Sequence, residues 1–265
     1  MDSSGVITVS PLHLALAFGF VIATAIVLRT FKLKVTRQYL FAAVRAATQV
    51  LLLGYIMSWI FGFSNFMMVI GVIACMTGVA ALTVARRNTT APKTIAPIAF
   101  IIMFVVALCV VMIVANVIIK VSPWYDPRYL IPLSGMILGN AMSGMAIALE
   151  RMFNDLDMRT DEIRALVALG ATPWECAKSS IQSALRAGII PNINTLATIG
   201  IVFIPGMMSG QVLAGIDPMR AAPYQIIVSF MISAADVACA AAVVLWMYRY
   251  RFNETGMYLD SSTRA

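Results

Sequence analysis

The chain has 265 residues, of which 61% are hydrophobic and only 12% are charged, and its formal net charge is +7. Soluble domains carry about twice that share of charged residues, so the composition excludes an ordinary soluble domain and indicates a membrane protein. The apolar runs are continuous rather than alternating, which favours helical spans over a β-barrel. The predicted fold class is an all-α polytopic membrane protein with a single transmembrane domain over residues 1–265.

The apolar runs predict seven transmembrane helices, because a helix needs about 20 mainly apolar residues to cross a bilayer. The predicted spans are 11–29, 38–60, 65–85, 95–119, 129–149, 191–214 and 223–248. The uncharged run from Ala46 to Ala85 is too long for one helix, and "FGFSN" (Phe61–Asn65) is the turn expected within it.

Basic residues lie almost entirely on one side of these spans. They follow spans one, three, five and seven, whereas the opposite side holds only Lys120, Arg128 and Arg220. Cytoplasmic loops carry the excess of Lys and Arg, so we expect the N-terminus outside and the C-terminus in the cytoplasm. The basic charge is thus a topology signal and not a nucleic-acid surface. No Lys or Arg precedes the first span, which predicts a retained helix rather than a cleaved signal peptide.

The cytoplasmic segment at about 150–190 between spans five and six is predicted to form two short helices. Thr160 is the expected N-cap of the first helix, and Asp161 and Glu162 favour its first turn. Its apolar stripe consists of Ile163, Leu166 and Val167. Gly170 is expected just beyond the helix end, in the left-handed conformation.

The second helix opens with the stretch "TPWE", in which Thr172 is the N-cap, Pro173 takes the first helical position and Glu175 completes a capping box. Two capped helices with a fixed corner make a rigid element with an apolar stripe and an apolar Trp174. Such a surface must be buried, either under the chain's own bundle or against a soluble partner. We favour a docking element for a partner.

The stretch "EIRALVALGATPWE" (Glu162–Glu175) resembles the cytoplasmic coupling loop of ABC transporter permeases, which seats in a groove of the ATP-binding subunit. Glu162, Ala165, Ala168 and Gly170 fit that pattern. The resemblance therefore implies contact with an ATPase through the residues of this element, which are Glu162, Ile163, Leu166, Val167, Gly170, Thr172, Trp174 and Glu175.

Three longer stretches resemble the FetB-like family of ABC permeases, which includes plant permeases linked to aluminium tolerance: 127–152, 198–215 and "RAATQVLLLGY" (Arg45–Tyr55). The resemblance implies a homodimeric permease in the bacterial inner (plasma) membrane, working with a separate ATP-binding subunit that holds ATP and Mg²⁺. The implied cargo is a metal ion such as iron, moved outward. Because plant relatives are associated with nucleotide-sugar transport, a nucleotide sugar remains an alternative cargo.

The sequence contains no GxxxxGK[ST] phosphate-binding loop and no catalytic constellation. We therefore expect no enzyme activity and no cofactor in this chain. An ATP-independent secondary carrier or channel, and a membrane scaffold that transports nothing, remain alternative functions.

Polar residues within the spans mark a candidate translocation path, because polar groups in lipid usually face a bundle interior or a water-filled cavity. The candidates are Arg45, Gln49, Asn140, Asn194, Gln211 and Asp236, with Pro205 and Gly206 as a candidate hinge. Arg45 and Asp236 are expected to approach each other across spans two and seven, although Arg45 alone would also reach the cytoplasmic surface.

Other features have simpler alternatives. A stripe formed by Gly135, Gly139 and Ser143 is typical of helix packing, and Pro205 on its own predicts a plain kink. The many Met residues favour soft ions but are also routine packing in apolar bundles. Without a cluster of His, Cys and carboxylates, the sequence predicts no dedicated metal site.

The orientation is testable by labelling. In a background without the four native cysteines, a cysteine at position 3 should react with an impermeant thiol reagent in intact cells, whereas one at position 262 should react only after the cells are opened. The reverse pattern would contradict the predicted topology.

Overall fold

The computed structural model describes residues 10–60, 65–88, 92, 94–253 and 256–259. Within these ranges the chain forms α-helices and no β-strand, only two isolated bridges, which confirms the all-α prediction. A π-helical end (Val114–Ile118) extends α4, and a 3₁₀ helix (Tyr248–Arg251) follows α9. The helices are α1 (Pro11–Thr30), α2 (Thr36–Ile60), α3 (Phe66–Arg87), α4 (Ile95–Ile113), α5 (Pro127–Met158), α6 (Thr160–Ala168), α7 (Pro173–Thr198), α8 (Gly206–Leu213) and α9 (Pro218–Met247).

Six helices of the described residues are long and apolar enough to cross a membrane: α1, α2, α3, α4 with its π-helical end, α5 and α9. They match six of the predicted spans. The turn predicted at Phe61–Asn65 lies outside the described residues, except for Asn65, whose side chain caps α3 by accepting from the backbone N–H of Met67 at 3.0 Å.

The span predicted at 191–214 is wrong as a single helix. Helix α7 begins at Pro173, continues through Pro191 and ends at Thr198, and residues 199–205 are not helical before α8 begins. Proline removes one N–H from a helix but keeps a helical φ, so a helix held by tertiary packing can continue through it. The break comes instead at Gly200, which has a φ of +79°.

The described residues divide into two compact units. One unit holds α1, α2 and residues 210–216, and α1 packs on α2. The other unit holds the rest, with α5 at its centre, packed against α3, α4, α7 and α9. Side chains such as Met145, Leu149 and Phe153 make α5 the core of this unit, because they are fully buried. The single domain expected over the whole chain stays a prediction.

Helix α5 is longer than the predicted span 129–149 and includes the first part of the segment predicted to be cytoplasmic. Asp126 caps its start by accepting from the Arg128 N–H at 2.9 Å. Its last turns remain helical because Met152, Phe153 and Leu156 are buried. The N-cap predicted at Thr160 is wrong, since Thr160 is already helical and its hydroxyl donates to the Asp157 carbonyl at 2.7 Å.

Helices α5 and α7 approach each other most closely at Gly144 and Gly188. A Cβ on Gly188 would lie 2.8 Å from the Gly144 carbonyl oxygen and 2.9 Å from the Ala148 Cβ. This small-residue seam lies on a different face of α5 from the glycine stripe that the sequence suggested. Within the described residues, a Cβ on Gly139 would meet nothing within 4 Å, and one on Gly135 would meet only the Met76 side chain.

The residues after α9 fold back onto the end of α5. The Arg251 side chain is 2% exposed and donates to Asp157 at 2.8 Å, and its guanidinium lies 5.1 Å from the centre of the Phe153 ring. The Tyr258 hydroxyl donates to the other Asp157 oxygen at 3.3 Å. Burial raises the pKa of Tyr258 to about 12, so it stays a neutral donor. We call Asp157, Arg251 and Tyr258 the C-terminal clamp.

The α5–α7 seam predicts the effect of adding one methyl group. Gly188→Ala should destabilise the protein by about 1–3 kcal/mol, because overpacking must push the two helices apart. Gly139→Ala, a matched control in open space within a helix, should be neutral or stabilise by up to about 1 kcal/mol. Thermal unfolding in detergent compares the two variants. Equal midpoints would show that the seam is not tightly packed.

The clamp predicts an asymmetric double-mutant cycle. Asp157→Asn should cost about 3 kcal/mol, because it strands the buried guanidinium of Arg251. In an Arg251→Met background the same change should cost much less. Arg249→Met, at the exposed neighbouring arginine, is the control and should leave the unfolding midpoint near that of the parent. Additive losses in the double variant would rule out the clamp as an interacting pair.

Candidate functional site

Three helices and the non-helical segment enclose a cavity in the larger unit. Its volume is about 570 Å³, and it is lined by α5, α7, α9 and residues 199–207. We call it the α5–α7–α9 cavity. Its polar side chains are Asn140, Ser143, Asn192, Thr195, Gln225, Ser229 and Asp236.

Asp236 is the only carboxylate among the described residues that line this cavity, and it is 4% exposed. Its Oδ2 accepts a hydrogen bond from the Asn192 side-chain amide at 3.0 Å. Its Oδ1 lies against Gly144, where a Cβ would come within 2.1 Å of it, and has no hydrogen-bond partner among the described residues. Gly144 therefore admits both the α7 backbone on one side and this carboxylate on the other.

Most of the other polar side chains donate their hydrogen bonds to carbonyls of their own helix, so their oxygen atoms remain available as acceptors. Asn140 donates to the Met136 carbonyl at 2.9 Å, and Thr195 donates to the Pro191 carbonyl at 3.0 Å. Gln225 donates to the Ser229 hydroxyl at 3.2 Å, while the buried Gln225 Oε1 has no partner among the described residues. The cavity thus offers acceptors in excess of donors.

Some of the predicted path residues lie at this cavity and others do not. Asn140 and Asp236 line it, as do the hinge candidates Pro205 and Gly206. Asn194 is exposed and does not line it; its place is taken by Asn192, two residues earlier. Arg45, Gln49 and Gln211 belong to the smaller unit. Their roles, and the expected approach of Arg45 to Asp236, stay predictions.

Asn192 was not chosen from the sequence as a path residue, although a signal for it exists. It follows Gly188 by four residues, so the two share a face of α7. Because Gly188 is where α7 meets α5, a polar side chain one turn later faces the same interior. Only the position of the packing seam, which the structure supplies, distinguishes Asn192 from Asn194.

The break between α7 and α8 satisfies its own backbone. The Val202 N–H donates to the Thr198 carbonyl at 2.9 Å, and the Gly200 N–H donates to the Phe203 carbonyl at 2.9 Å. Ile199 and Phe203 of this segment line the cavity. Irregular backbone at membrane depth is tolerated where it lines a cavity. A plain kink at Pro205 is wrong, because Pro205 lies between the break and α8 rather than inside a helix, and its role as a hinge stays a prediction.

The corner between α6 and α7 has the capping that the sequence predicted. Gly170 has a φ of +88°, and the Ala171 N–H donates to the Leu166 carbonyl at 3.0 Å, as in a Schellman motif. Thr172 and Glu175 form the capping box, with the Thr172 N–H 2.8 Å from Glu175 Oε2. The bond from the Thr172 backbone N–H, and to a smaller extent the bond from the Thr172 hydroxyl, hold the pKa of the Glu175 carboxyl below its ordinary value.

Arg159 links this corner to α7, a role that no local sequence pattern indicates. Its guanidinium donates to Glu162 at 2.7 Å and to the Ser180 hydroxyl at 3.0 Å. The bond from Arg159 holds the pKa of Glu162 below its ordinary value. The predicted contact residue Glu162 is therefore engaged in fixing α6 against α7.

The apolar stripe of α6 is divided between the chain itself and its surface. Ile163 is fully buried, so it anchors α6, and Leu166 and Val167 are half-buried. Trp174 is 43% exposed, with its ring centre 5.8 Å from that of Tyr248. Leu169, which the sequence interpretation did not select, is 85% exposed. Leu169 and Trp174 are thus the large apolar side chains that the corner presents outward.

One helix connects this corner to the cavity. Helix α7 has 26 residues and is about 39 Å long. It begins in the capping box, meets α5 at Gly188 and carries Asn192 and Thr195 into the cavity lining. Helix α7 therefore joins the corner directly to the Asn192–Asp236 hydrogen bond.

Comparisons with known proteins give the family. A model of the uncharacterised protein family UPF0014 matches residues 11–252. The chain is 34% identical to "UPF0014 membrane protein YjkA" of Bacillus subtilis, over 88% of this chain and 92% of that protein. It is 31% identical to "Probable iron export permease protein FetB" of Escherichia coli, over 91% of each chain. It is 27% identical to "Protein ALUMINUM SENSITIVE 3" of Arabidopsis thaliana, over 87% of this chain and 84% of that protein.

No solved structure matches the chain. The family match covers the six helices that can cross a membrane, the corner at Gly170 and the cavity lined by Asp236. It confirms the family resemblance noted from the sequence. The chain belongs to the uncharacterised protein family UPF0014, whose relatives include a protein named as an iron export permease.

Proposed function

We propose that this chain is the membrane-spanning subunit of an ABC transporter that exports a metal ion such as iron, driven by a separate ATP-binding subunit. The observation that carries the proposal is α7, an unbroken helix from an exposed, rigidly capped corner to a polar cavity. The name of the Escherichia coli relative supports the cargo class. No activity of an enzyme is required of the chain, because ATP would be hydrolysed by the partner.

In the proposed mechanism, the rigid corner and helix α7 move together, and the non-helical segment after α7 changes shape. The corner at Gly170 and Thr172 seats on the ATPase, and movement of the ATPase turns or shifts α7. The seam at Gly188 is the fulcrum, since the backbones of α5 and α7 are already in contact there. Asn192 then moves relative to Asp236, and the non-helical segment 199–205 absorbs the change. Two ATP-binding subunits close on ATP as a pair, so the transporter contains two copies of this chain.

The proposed topology keeps the N-terminus outside and the C-terminus in the cytoplasm of a bacterial inner membrane. The basic residues after α1, α3 and α5 set this orientation. The passage between α6 and α9, which contains the end of α7, the break and α8, makes the crossing that the sequence assigned to a seventh span. The corner and the C-terminal clamp then lie together on the cytoplasmic side.

A secondary carrier is the second candidate, and one observation favours it. Asp236 is a buried carboxylate beside a discontinuous helix, an arrangement that ion-coupled carriers use. Transport into inverted membrane vesicles separates the two functions. Transport that needs ATP and the partner supports the ABC transporter, whereas transport that needs only an ion gradient supports the carrier.

The proposal predicts what an altered corner does to partner binding. Leu169→Asp and Trp174→Ala should each leave the protein folded and inserted, because both side chains are substantially exposed. Each should weaken association with the ATPase by about 10-fold or more and abolish ATP-driven transport, since buried aromatic and apolar anchors dominate interfaces. Leu169→Met is the matched control and should bind normally. Co-purification of monodisperse variants with the ATPase is the measurement.

Substitutions at Gly170 test the shape of the corner separately from its contacts. Gly170→Val should lose ATPase binding, because a β-branched residue resists the observed φ of +88°. Gly170→Asn should keep most of it, since Asn tolerates the left-handed conformation. If Leu169→Asp, Trp174→Ala and Gly170→Val all retain full binding and transport, the corner is structural and the coupling assignment fails.

A further inference from the structure

The α5–α7–α9 cavity holds a buried carboxyl group that no cationic side chain of the described lining balances. Asp236 is its one acidic residue, and no Lys, Arg or His is found among the described residues that line it. A carboxylate inside a membrane protein needs either a proton or a nearby positive charge. Its single hydrogen bond, from the neutral amide of Asn192, supplies no charge. The lining therefore favours an occupant that is positively charged.

The arrangement does not suit an ion stripped of its water. No group of three or more His, Cys, Asp and Glu side chains that could hold a metal occurs among the described residues. One oxygen of Asp236 is engaged by Asn192 and the other is packed against Gly144. Dedicated Ca²⁺ and transition-metal sites use several protein ligands, which this cavity does not assemble around Asp236.

The dimensions suit an ion that keeps its water. Six waters at about 30 Å³ each occupy roughly 180 Å³, and the cavity volume is about 570 Å³. Water molecules bound to a cation donate hydrogen bonds, and the cavity has more hydrogen-bond acceptors than donors to pair with them. Gln225, with its unpartnered Oε1, lies about 16 Å along α9 from Asp236. It is too far from Asp236 to contact the same ion.

We infer that the α5–α7–α9 cavity binds a hydrated divalent cation, with Asp236 as its counter-charge and Asn192 holding the carboxylate in place. The inference rests on the proposed function and deepens it by naming the form of the cargo. It also disfavours a nucleotide sugar at this site, since the described lining offers no cationic side chain to its phosphates. Selection is by charge and hydrated size rather than by a specific set of ligands.

The experiment uses the purified full-length permease without an ATPase and Mn²⁺ as the probe. Free Mn²⁺ is followed by its electron paramagnetic resonance signal, which falls as the ion binds. Asp236→Asn should weaken Mn²⁺ binding at least 10-fold. Asp161→Asn removes the same charge from the exposed first turn of α6 and should have no effect. Unchanged binding by Asp236→Asn would overturn the inference.

A second pair of variants keeps the test valid if Asp236→Asn does not fold. Asn140 is an exposed part of the lining and its side-chain amide donates within its own helix. Asn140→Lys adds a positive charge and should bind Mn²⁺ about 10-fold more weakly than Asn140→Met, which is similar in length and neutral. Equal binding by the Lys and Met variants would contradict the inference.

Hexaamminecobalt(III) tests whether the ion keeps its shell, because it resembles a hydrated cation and does not release its ligands. It should displace Mn²⁺, whereas uridine diphosphate glucose should not. Failure of hexaamminecobalt(III) to compete would overturn the hydrated form. If Mn²⁺ binding depends on Asp236 but the permease associates with no ATPase, the inference holds and the proposed function is wrong. If export is driven by ATP but Mn²⁺ binding does not depend on Asp236, the proposed function holds and the inference is wrong.

Discussion

The contact between Gly144 on α5 and Gly188 on α7 determines where the rest of the candidate site lies. The two backbones are so close that a single methyl group on Gly188 would come within 3 Å of both the Gly144 carbonyl and Ala148. Gly144 is constrained on a second side as well, because a Cβ there would collide with the Asp236 carboxylate. One turn beyond Gly188, Asn192 is thereby brought within hydrogen-bond distance of Asp236. Three helices meet at this junction, and the cavity opens beside it.

The same junction connects the corner between α6 and α7 to the cavity. The corner is rigid because the Schellman end of α6, the capping box of α7 and the bonds from Arg159 all fix it. The C-terminal clamp adds a buried ion pair to the end of α5. Both α5 and α7 are therefore long helices held at the ends that meet this corner, and α7 ends at the cavity, where the non-helical segment 199–205 follows it. In the proposed mechanism, motion imposed at the corner is transmitted by these helices and absorbed in that segment.

Local signals predicted the local structure well. The spans from α1 to α4 and α9, the left-handed Gly170 and the Thr172–Glu175 capping box depend on hydropathy, backbone conformation and neighbouring residues, so they could be predicted from the sequence. The features that failed depend on distant partners. The glycine stripe and the Gly144 seam lie on different faces of α5, and only the position of α7 decides that Gly144 rather than Gly139 is the seam. Arg159 and the clamp of Arg251 with Asp157, 94 residues apart, had no local signal, and Asn192 can be distinguished from Asn194 only once the seam at Gly188 is known. Pro191 misled the assignment of α7 because tertiary packing overrides its helix-breaking tendency.

The central claim is that the corner and the cavity are energetically coupled through α7. It is tested most directly by the Mn²⁺ affinity of the purified permease, measured alone and then with its ATP-binding partner held in the ATP-bound state. Coupling between two sites in a protein typically changes affinity by about 5- to 150-fold, and the account predicts a change in this range that disappears in Gly170→Val. An identical Mn²⁺ affinity in the two states, with the partner demonstrably bound, would contradict the account.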